Sequence, residues 1–213
     1  IFNTSEIYTK KNTQHRIFLK EGNKTNTLKF KTQKTTTKSD SNGFWKIQLL
    51  TTKDQKTHTL TIKSGKDKIV IKEILMGEVW LASGQSNMEM SVGQSADGKA
   101  EIKAASHSNI RLFNVSRPVD PIAVAPQDDL FGQWRVCSPD TIQDFSAVGY
   151  YFGREINQRT KVPIGLINSS YGGTIIEAWT RHEEISRLPG MTERIAKAQD
   201  IHRDPKVITQ DMT

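Results

Sequence analysis

Cysteine is nearly absent from this sequence. Cys137 is the single thiol among 213 residues, so an intrachain disulfide is excluded and the redox compartment stays undetermined. A lone cysteine is expected to be buried as a small hydrophobic residue. Long apolar runs are also absent, because no stretch approaches the roughly 18 residues of a transmembrane helix, and no membrane partner is predicted. No signal-peptide pattern is visible, and Ile1 is not an initiator methionine.

Acidic residues are scarce in the first third of the chain. Residues 1–75 hold 16 of the 30 Lys and Arg residues but only 6 of the 23 Asp and Glu residues, so the formal net charge of +7 arises there. A basic block can bind nucleic acid. Here, however, the lysines are scattered among threonines, with few aromatic residues that could stack on bases. We interpret them as solvated side chains on strand faces and edges, and nucleic acid is not predicted as a partner.

Two domains are predicted from the periodicity of the apolar residues. Residues 1–73 contain short segments of period two, at 28–31, 45–49, 60–63 and 69–71, which predict a small antiparallel β-sandwich. Residues 74–213 predict an α/β domain. In this part, a helical face formed by Phe145, Val148, Phe152 and Ile156 lies between strand candidates 109–115 and 162–168. This alternation of strands and helices is typical of a mostly parallel sheet.

The candidate nucleophile is Ser86, in the turn Gly84-Gln85-Ser86-Asn87-Met88. The apolar run 74–82 before it predicts a buried strand that ends at this turn, where open α/β sheets place their chemistry. A hydroxyl presented there can reach a substrate, and nearby N–H groups can face a developing oxyanion. Gln85 and Asn87 are candidates for fixing the turn or binding substrate. Ser and Asn also favour ordinary turns, so these five residues alone favour that simpler interpretation.

A second turn with site-like features follows the strand candidate 162–168. It contains Gly172 and Gly173, and the spacing of Thr174 and Glu177 predicts a capping box with a helix beginning at Thr174. Glycines before a helix let the backbone approach a ligand and aim N–H groups at it. Either glycine is therefore a candidate oxyanion donor, unless both serve only to make the turn.

The histidines are weaker candidates. His182 could act as a base, but its charged neighbours predict an exposed helix surface. His58 is expected to be solvated and His107 to lie in a polar loop.

Three stretches of the sequence, residues 79–90, 144–155 and 162–179, resemble the sialate O-acetylesterases of the SGNH-hydrolase superfamily. The resemblance covers roughly residues 74–182, and residues 1–73 fit loosely as the β domain that commonly precedes the catalytic domain. It implies a three-layer α/β/α domain with Ser86 as nucleophile, and with the N–H groups of Ser86 and of Gly173 or Gly172 in the oxyanion hole.

The same resemblance implies an activity and a location. The expected activity removes O-acetyl groups from sialic acid or related acetylated sugars by two-step acyl transfer, without metal or cofactor. The expected location is secreted or periplasmic.

One departure from the family pattern concerns the base. The family supplies a histidine from a late Asp-x-x-His-type block and a further oxyanion donor from a Gln-Gly-Glu-Ser-Asn-like block, and neither occurs here. Without a base, a serine hydroxyl is a poor nucleophile. We therefore expect an incomplete catalytic domain, the N-terminal part of the enzyme, which a second chain or a C-terminal segment completes. The alternative is a non-catalytic carbohydrate-binding module on the same fold.

Overall fold

A computed structural model describes residues 15–16, 25–41, 45–47, 55–115 and 132–203. The described residues up to 172 belong to one compact unit, and residues 173–203 belong to a second. The predicted domain boundary between residues 73 and 74 stays a prediction. None of the described helices has both the length and the apolar character needed to cross a bilayer.

The first sheet contains the predicted antiparallel strands. Its order is β3-β2-β5-β6, and a separate pair joins β1 to β4. The strands are β1 (His15–Arg16), β2 (Thr25–Phe30), β3 (Gln33–Lys38), β4 (Lys46–Ile47), β5 (His58–Ser64) and β6 (Asp67–Ile74). Alternation buries Leu28, Phe30, Leu60 and Ile62 in one cluster, because successive side chains of a strand point to opposite faces. Antiparallel pairing is thus confirmed, while the second layer of a sandwich stays a prediction.

The burial of His58 differs from the prediction. It begins β5 on the inward face, is 8% exposed, and its ring lies edge-on to Phe30 with centroids 5.4 Å apart. The prediction that this histidine is solvated is therefore wrong, because strand alternation places it in the core.

The second sheet is mostly parallel, as predicted, with the order β7-β10-β8-β9. Its strands are β7 (Glu78–Gly84), β8 (His107–Asn114), β9 (Arg135–Cys137) and β10 (Ile164–Ser170), and its helices are α1 (Ser86–Glu89), α2 (Gly98–Ala104), α3 (Pro139–Ile142) and α4 (Ala147–Thr160). A 3₁₀ turn lies at Val92–Gln94. Strand β10 is parallel to both β7 and β8, so the carboxyl ends of these strands meet at one edge. The register pairs Gly84 with Ser170 at that edge.

Only part of the predicted helical face is buried: Phe145, just before α4, lies in the core and Ile156 packs against it. Val148 and Phe152 are 47% and 42% exposed, whereas Tyr150 is fully buried and Gly153 is buried as well. A Cβ on Gly153 would lie only 2.6 Å from Leu166 Cδ1, so the helix approaches β10 too closely for a large side chain at that position. The N-cap of α4 is Ser146, whose hydroxyl oxygen accepts a hydrogen bond from the Gly149 N–H at 3.1 Å.

Strand β7 is an edge strand among the described residues, where it pairs with β10 alone. Leu81 is 66% exposed and Trp80 is 43% exposed, although the Trp80 ring packs edge-on against Phe152 at 5.0 Å. The prediction of a buried strand is therefore wrong, because an apolar run does not distinguish an edge strand from a central one.

The second compact unit contains a 3₁₀ helix (Ile176–Trp179), α5 (His182–Ile185) and α6 (Met191–Arg203). The N-cap of the 3₁₀ helix is Ile175, which makes no side-chain capping hydrogen bond. The predicted capping box with a helix beginning at Thr174 is therefore wrong. The Thr174 hydroxyl instead accepts a hydrogen bond from the Trp179 indole N–H at 2.8 Å.

Candidate active site

Ser86 lies where the sequence predicts it, directly after the carboxyl end of β7. It is the first residue of the one-turn helix α1 and is exposed. The Gln85 carbonyl accepts hydrogen bonds from the N–H groups of Met88 and Glu89, both at 2.9 Å, and the Ser86 carbonyl accepts one from Met90 at 3.0 Å. The first N–H groups of a helix have no partner within the helix. The local fold therefore combines an exposed serine hydroxyl with backbone donors at a helix N-terminus.

The turn is anchored to the start of α4. The Ala147 N–H donates to the Met90 carbonyl at 2.8 Å, and Ser91 and Ser146 form an isolated antiparallel bridge. The fully buried Ser146 also donates from its hydroxyl to the Met88 sulfur at 3.5 Å. The position of Ser86 is thus fixed through packing as well as through its own short helix.

The second predicted turn meets the first through Gly172. The Tyr171 N–H donates to the Gly84 carbonyl at 2.9 Å, which continues the pairing of β7 and β10 by one residue. The next N–H, that of Gly172, donates to Glu89 Oε2 at 2.6 Å. A Cβ on Gly172 would lie 2.4 Å from that oxygen and 3.5 Å from Ser86 Cα. Gly172 therefore packs directly against the candidate nucleophile, and a side chain there would require the Glu89 carboxylate to move.

The two adjacent glycines serve different local requirements. Gly173 has φ +76, in the left-handed region that favours glycine, and a Cβ there would meet no atom within 4 Å. The N–H of Gly172 already donates a hydrogen bond to Glu89.

The other two predicted site residues lie in the first turn. Gln85 contributes its carbonyl to the turn, and the Asn87 side chain is exposed.

The described histidines differ in their surroundings. His182 is exposed at the start of α5, as predicted. His107 does not lie in a polar loop, because it begins β8 and its Nε2 is 3.2 Å from the Tyr150 hydroxyl. Since β8 runs parallel to β10, this end of β8 is opposite to the edge that carries Ser86. His107 is therefore part of a separate polar cluster.

That cluster is centred on Glu101. Its carboxylate accepts hydrogen bonds from the Tyr150 hydroxyl and from Arg154 Nη1, the latter at 2.5 Å. Desolvation raises the pKa of Glu101, but the hydrogen bonds from Tyr150 and Arg154 outweigh it and hold the pKa below its ordinary value. Burial and the neighbouring Glu101 carboxylate raise the pKa of Tyr150. We interpret the cluster as a structural network that joins α2 to α4.

Sequence reasoning missed Glu89 as a member of the site. A signal was available, since Glu89 follows Ser86 by three residues in a helix, a spacing that places two side chains on one face. Its partner is 83 residues away along the chain, however, and helical spacing does not predict such a contact.

Comparison with known proteins confirms the predicted resemblance. The family model described as "Carbohydrate esterase, sialic acid-specific acetylesterase" matches residues 76–207. The sialate O-acetylesterase of Rattus norvegicus is 33% identical over 126 residues, which cover 56% of this chain and 23% of that protein. The Homo sapiens sialate O-acetylesterase is 38% identical over 120 residues, 52% of this chain and 22% of that protein. The chain thus spans less than a quarter of the length of these relatives.

A solved structure is also similar. The crystal structure of a carbohydrate acetylesterase from Xanthomonas citri superposes with a TM-score of 0.74 and 32% sequence identity, over 80% of this chain and 39% of that one.

Proposed function

The chain belongs to the sialic acid-specific acetylesterase family of carbohydrate esterases, and on this premise we propose that Ser86 is the nucleophile of a carbohydrate O-acetylesterase. The proposed substrates are sialic acid or related sugars that carry O-acetyl groups, and the proposed location is secreted or periplasmic. The observation that carries the proposal is the exposed Ser86 at the carboxyl end of β7, with the main chain of Gly172 packed against it.

The first proposed step forms an acetyl-enzyme. The Ser86 Oγ attacks the acetyl carbonyl carbon while a base takes the hydroxyl proton, and the carbonyl electron pair moves onto oxygen. We assign the oxyanion donors to the N–H groups of Ser86 and Gly173. Gly173 is preferred to Gly172 because the Gly172 N–H already donates to Glu89. When the oxyanion collapses, the bond to the sugar oxygen breaks and this oxygen takes the proton from the base.

The second proposed step releases acetate. The same base takes a proton from water, and the resulting nucleophile attacks the acetyl carbon on Ser86. Collapse of the second oxyanion breaks the bond to Ser86 Oγ, which regains its proton. The donors that stabilise the first oxyanion also serve the second, because the acetyl carbonyl stays in place.

We propose that the histidine base and its acidic partner come from sequence beyond these 213 residues, either a C-terminal segment or a second chain. Support comes from the relatives, which extend well past the region they share with this chain. It also comes from two of the described histidines, because His58 packs against Phe30 and His107 contacts Tyr150.

The test is the Ser86→Ala variant of the full-length natural protein, assayed for hydrolysis of an aryl acetate. We expect the rate to fall by about a thousandfold or more, because loss of the nucleophile removes the covalent route. Ser108→Ala is the matched control, because Ser108 is exposed and lies at the amino end of β8, away from the sheet edge that carries Ser86. This variant should leave the rate unchanged. Full activity of Ser86→Ala would refute the assignment.

A fluorophosphonate probe separates the enzyme from a carbohydrate-binding module. Covalent labelling at Ser86 requires an activated hydroxyl, so labelling is expected for an esterase. A protein that binds acetylated sugars but is not labelled would be the binding module instead.

A further inference from the structure

We propose that Glu89 is a positioning residue, whose carboxylate holds the Gly172 N–H and thereby fixes the second turn against Ser86. The inference rests on the proposed esterase function. It adds a residue to that site whose role is to orient the backbone donors, without contact to the reacting atoms.

The hydrogen bond between Glu89 and Gly172 has the properties of a strong restraint. The distance from the Gly172 nitrogen to Glu89 Oε2 is 2.6 Å, and the contact is partly buried. An ionised acceptor makes such a bond shorter and roughly twice as strong as a neutral one. Because the partners are 83 residues apart, this bond closes a long loop of chain between the two turns.

Glu89 is rigidly related to Ser86. Both residues belong to the single turn of α1, and the Glu89 N–H is itself bound to the Gln85 carbonyl at 2.9 Å. The Met90 carbonyl, just beyond the helix, accepts the Ala147 N–H at 2.8 Å. The Glu89 carboxylate therefore holds the Gly172 main chain in a fixed position relative to α1, the helix that carries Ser86.

The same bond determines which N–H groups are available to an oxyanion. With its N–H committed to Glu89, Gly172 is removed from the set of donors. The peptide that follows carries the N–H of Gly173, and its orientation depends on how Gly172 is held. A displacement of about 1 Å at a catalytic group can cost a hundredfold in rate, so a loose Gly172 should lower the rate of acyl transfer.

Three variants of the full-length natural protein test this role. Glu89→Ala removes the acceptor, whereas Glu89→Gln keeps an oxygen acceptor but removes the charge. Glu155→Ala is the control, because Glu155 is an exposed glutamate on α4 that pairs with Arg159. The measurements are kcat and KM on an aryl acetate, the rate of fluorophosphonate labelling at Ser86, hydrogen exchange of the Gly172 amide, and the melting temperature.

For Glu89→Ala we expect kcat to fall by about 10- to 100-fold with KM changed by less than about threefold. The Gly172 amide should exchange faster, and labelling of Ser86 should slow but still occur. Glu89→Gln should retain most of the activity, because its amide oxygen still accepts the Gly172 N–H. Glu155→Ala should behave as wild type in all of these measurements.

Two outcomes would overturn the inference. One is a Glu89→Ala protein with wild-type kcat and faster Gly172 exchange. The other is a protein with a lower melting temperature but an unchanged kcat per folded molecule, which would make Glu89 only structural. Either outcome leaves the assignment of Ser86 intact, since loss of activity and labelling in Ser86→Ala tests that assignment separately.

Discussion

Gly172 and Gly173 are adjacent and equivalent in sequence, yet their replacement by alanine should have different consequences. At Gly172 a Cβ would lie 2.4 Å from Glu89 Oε2, so the carboxylate must move by about 1 Å to reach an ordinary contact distance. We expect that movement to disrupt the 2.6 Å hydrogen bond to the Gly172 N–H. At Gly173 a Cβ meets nothing within 4 Å, and only the backbone angle of φ +76 is unfavourable for alanine.

These contacts set the expected loss in the free energy of unfolding for each of the two variants. Loss of a hydrogen bond to a charged group costs about 1.5–3 kcal/mol, so we expect Gly172→Ala to lower the free energy of unfolding by about 2 kcal/mol. The 3.5 Å contact of the new Cβ with Ser86 Cα is ordinary and adds little. A left-handed alanine costs about 1 kcal/mol, which we expect for Gly173→Ala. For a chain of this length, about 2–4 °C in melting temperature corresponds to each kcal/mol.

The assay is urea denaturation followed by circular dichroism, in the wild-type and the Glu89→Ala backgrounds. Because the obstacle at Gly172 is the Glu89 side chain, Gly172→Ala should cost close to nothing once Glu89 is alanine, while Gly173→Ala should cost the same in both backgrounds. Equal costs for the two glycine variants, or a cost of Gly172→Ala that persists without Glu89, would refute this reasoning.

Two further predictions concern ionisable groups that are partly or fully buried. The pKa of Glu101 is held below its ordinary value of 4.5, so its stabilising contribution is present above about pH 4.5 and is lost as pH falls through the folded-state pKa. The difference in melting temperature between wild type and Glu101→Gln should therefore be largest at neutral pH and shrink below pH 4.5, and a difference independent of pH would contradict this. Burial raises the pKa of Cys137 to about 12, so the native protein should not react with an aromatic disulfide reagent at pH 8, whereas the protein in guanidinium chloride should bind one equivalent. Rapid reaction of the native thiol would show that Cys137 is accessible.

Much of the local structure is predictable from the sequence because it depends on neighbouring residues. The alternation at Leu28 and Leu60 predicts antiparallel strands, and the proline-led segment before Leu166 predicts the strand that becomes β10. Ser86 is predicted at a strand end because a glycine-containing turn follows an apolar run. Each of these inferences needs only residues within a few positions of one another.

The errors arise where burial depends on distant partners. The spacing of Val148 and Phe152 fits a buried helical face, but α4 packs close to Leu166 through Gly153 instead. Leu81 is predicted to lie in the core, yet β7 has a neighbouring strand on one side only among the described residues. Periodicity identifies an apolar stripe, but it does not say whether another element covers that stripe.

The sequence by itself determined the family, the strand that precedes Ser86 and the presence of a glycine-rich second turn. Only the tertiary structure decided that Gly172 packs on Ser86 while its N–H binds Glu89, and that Gly173 has a left-handed backbone angle that favours glycine. The physical reason is that short-range patterns specify elements, whereas the parallel register of β7 with β10 brings together two turns that are more than 80 residues apart in the chain.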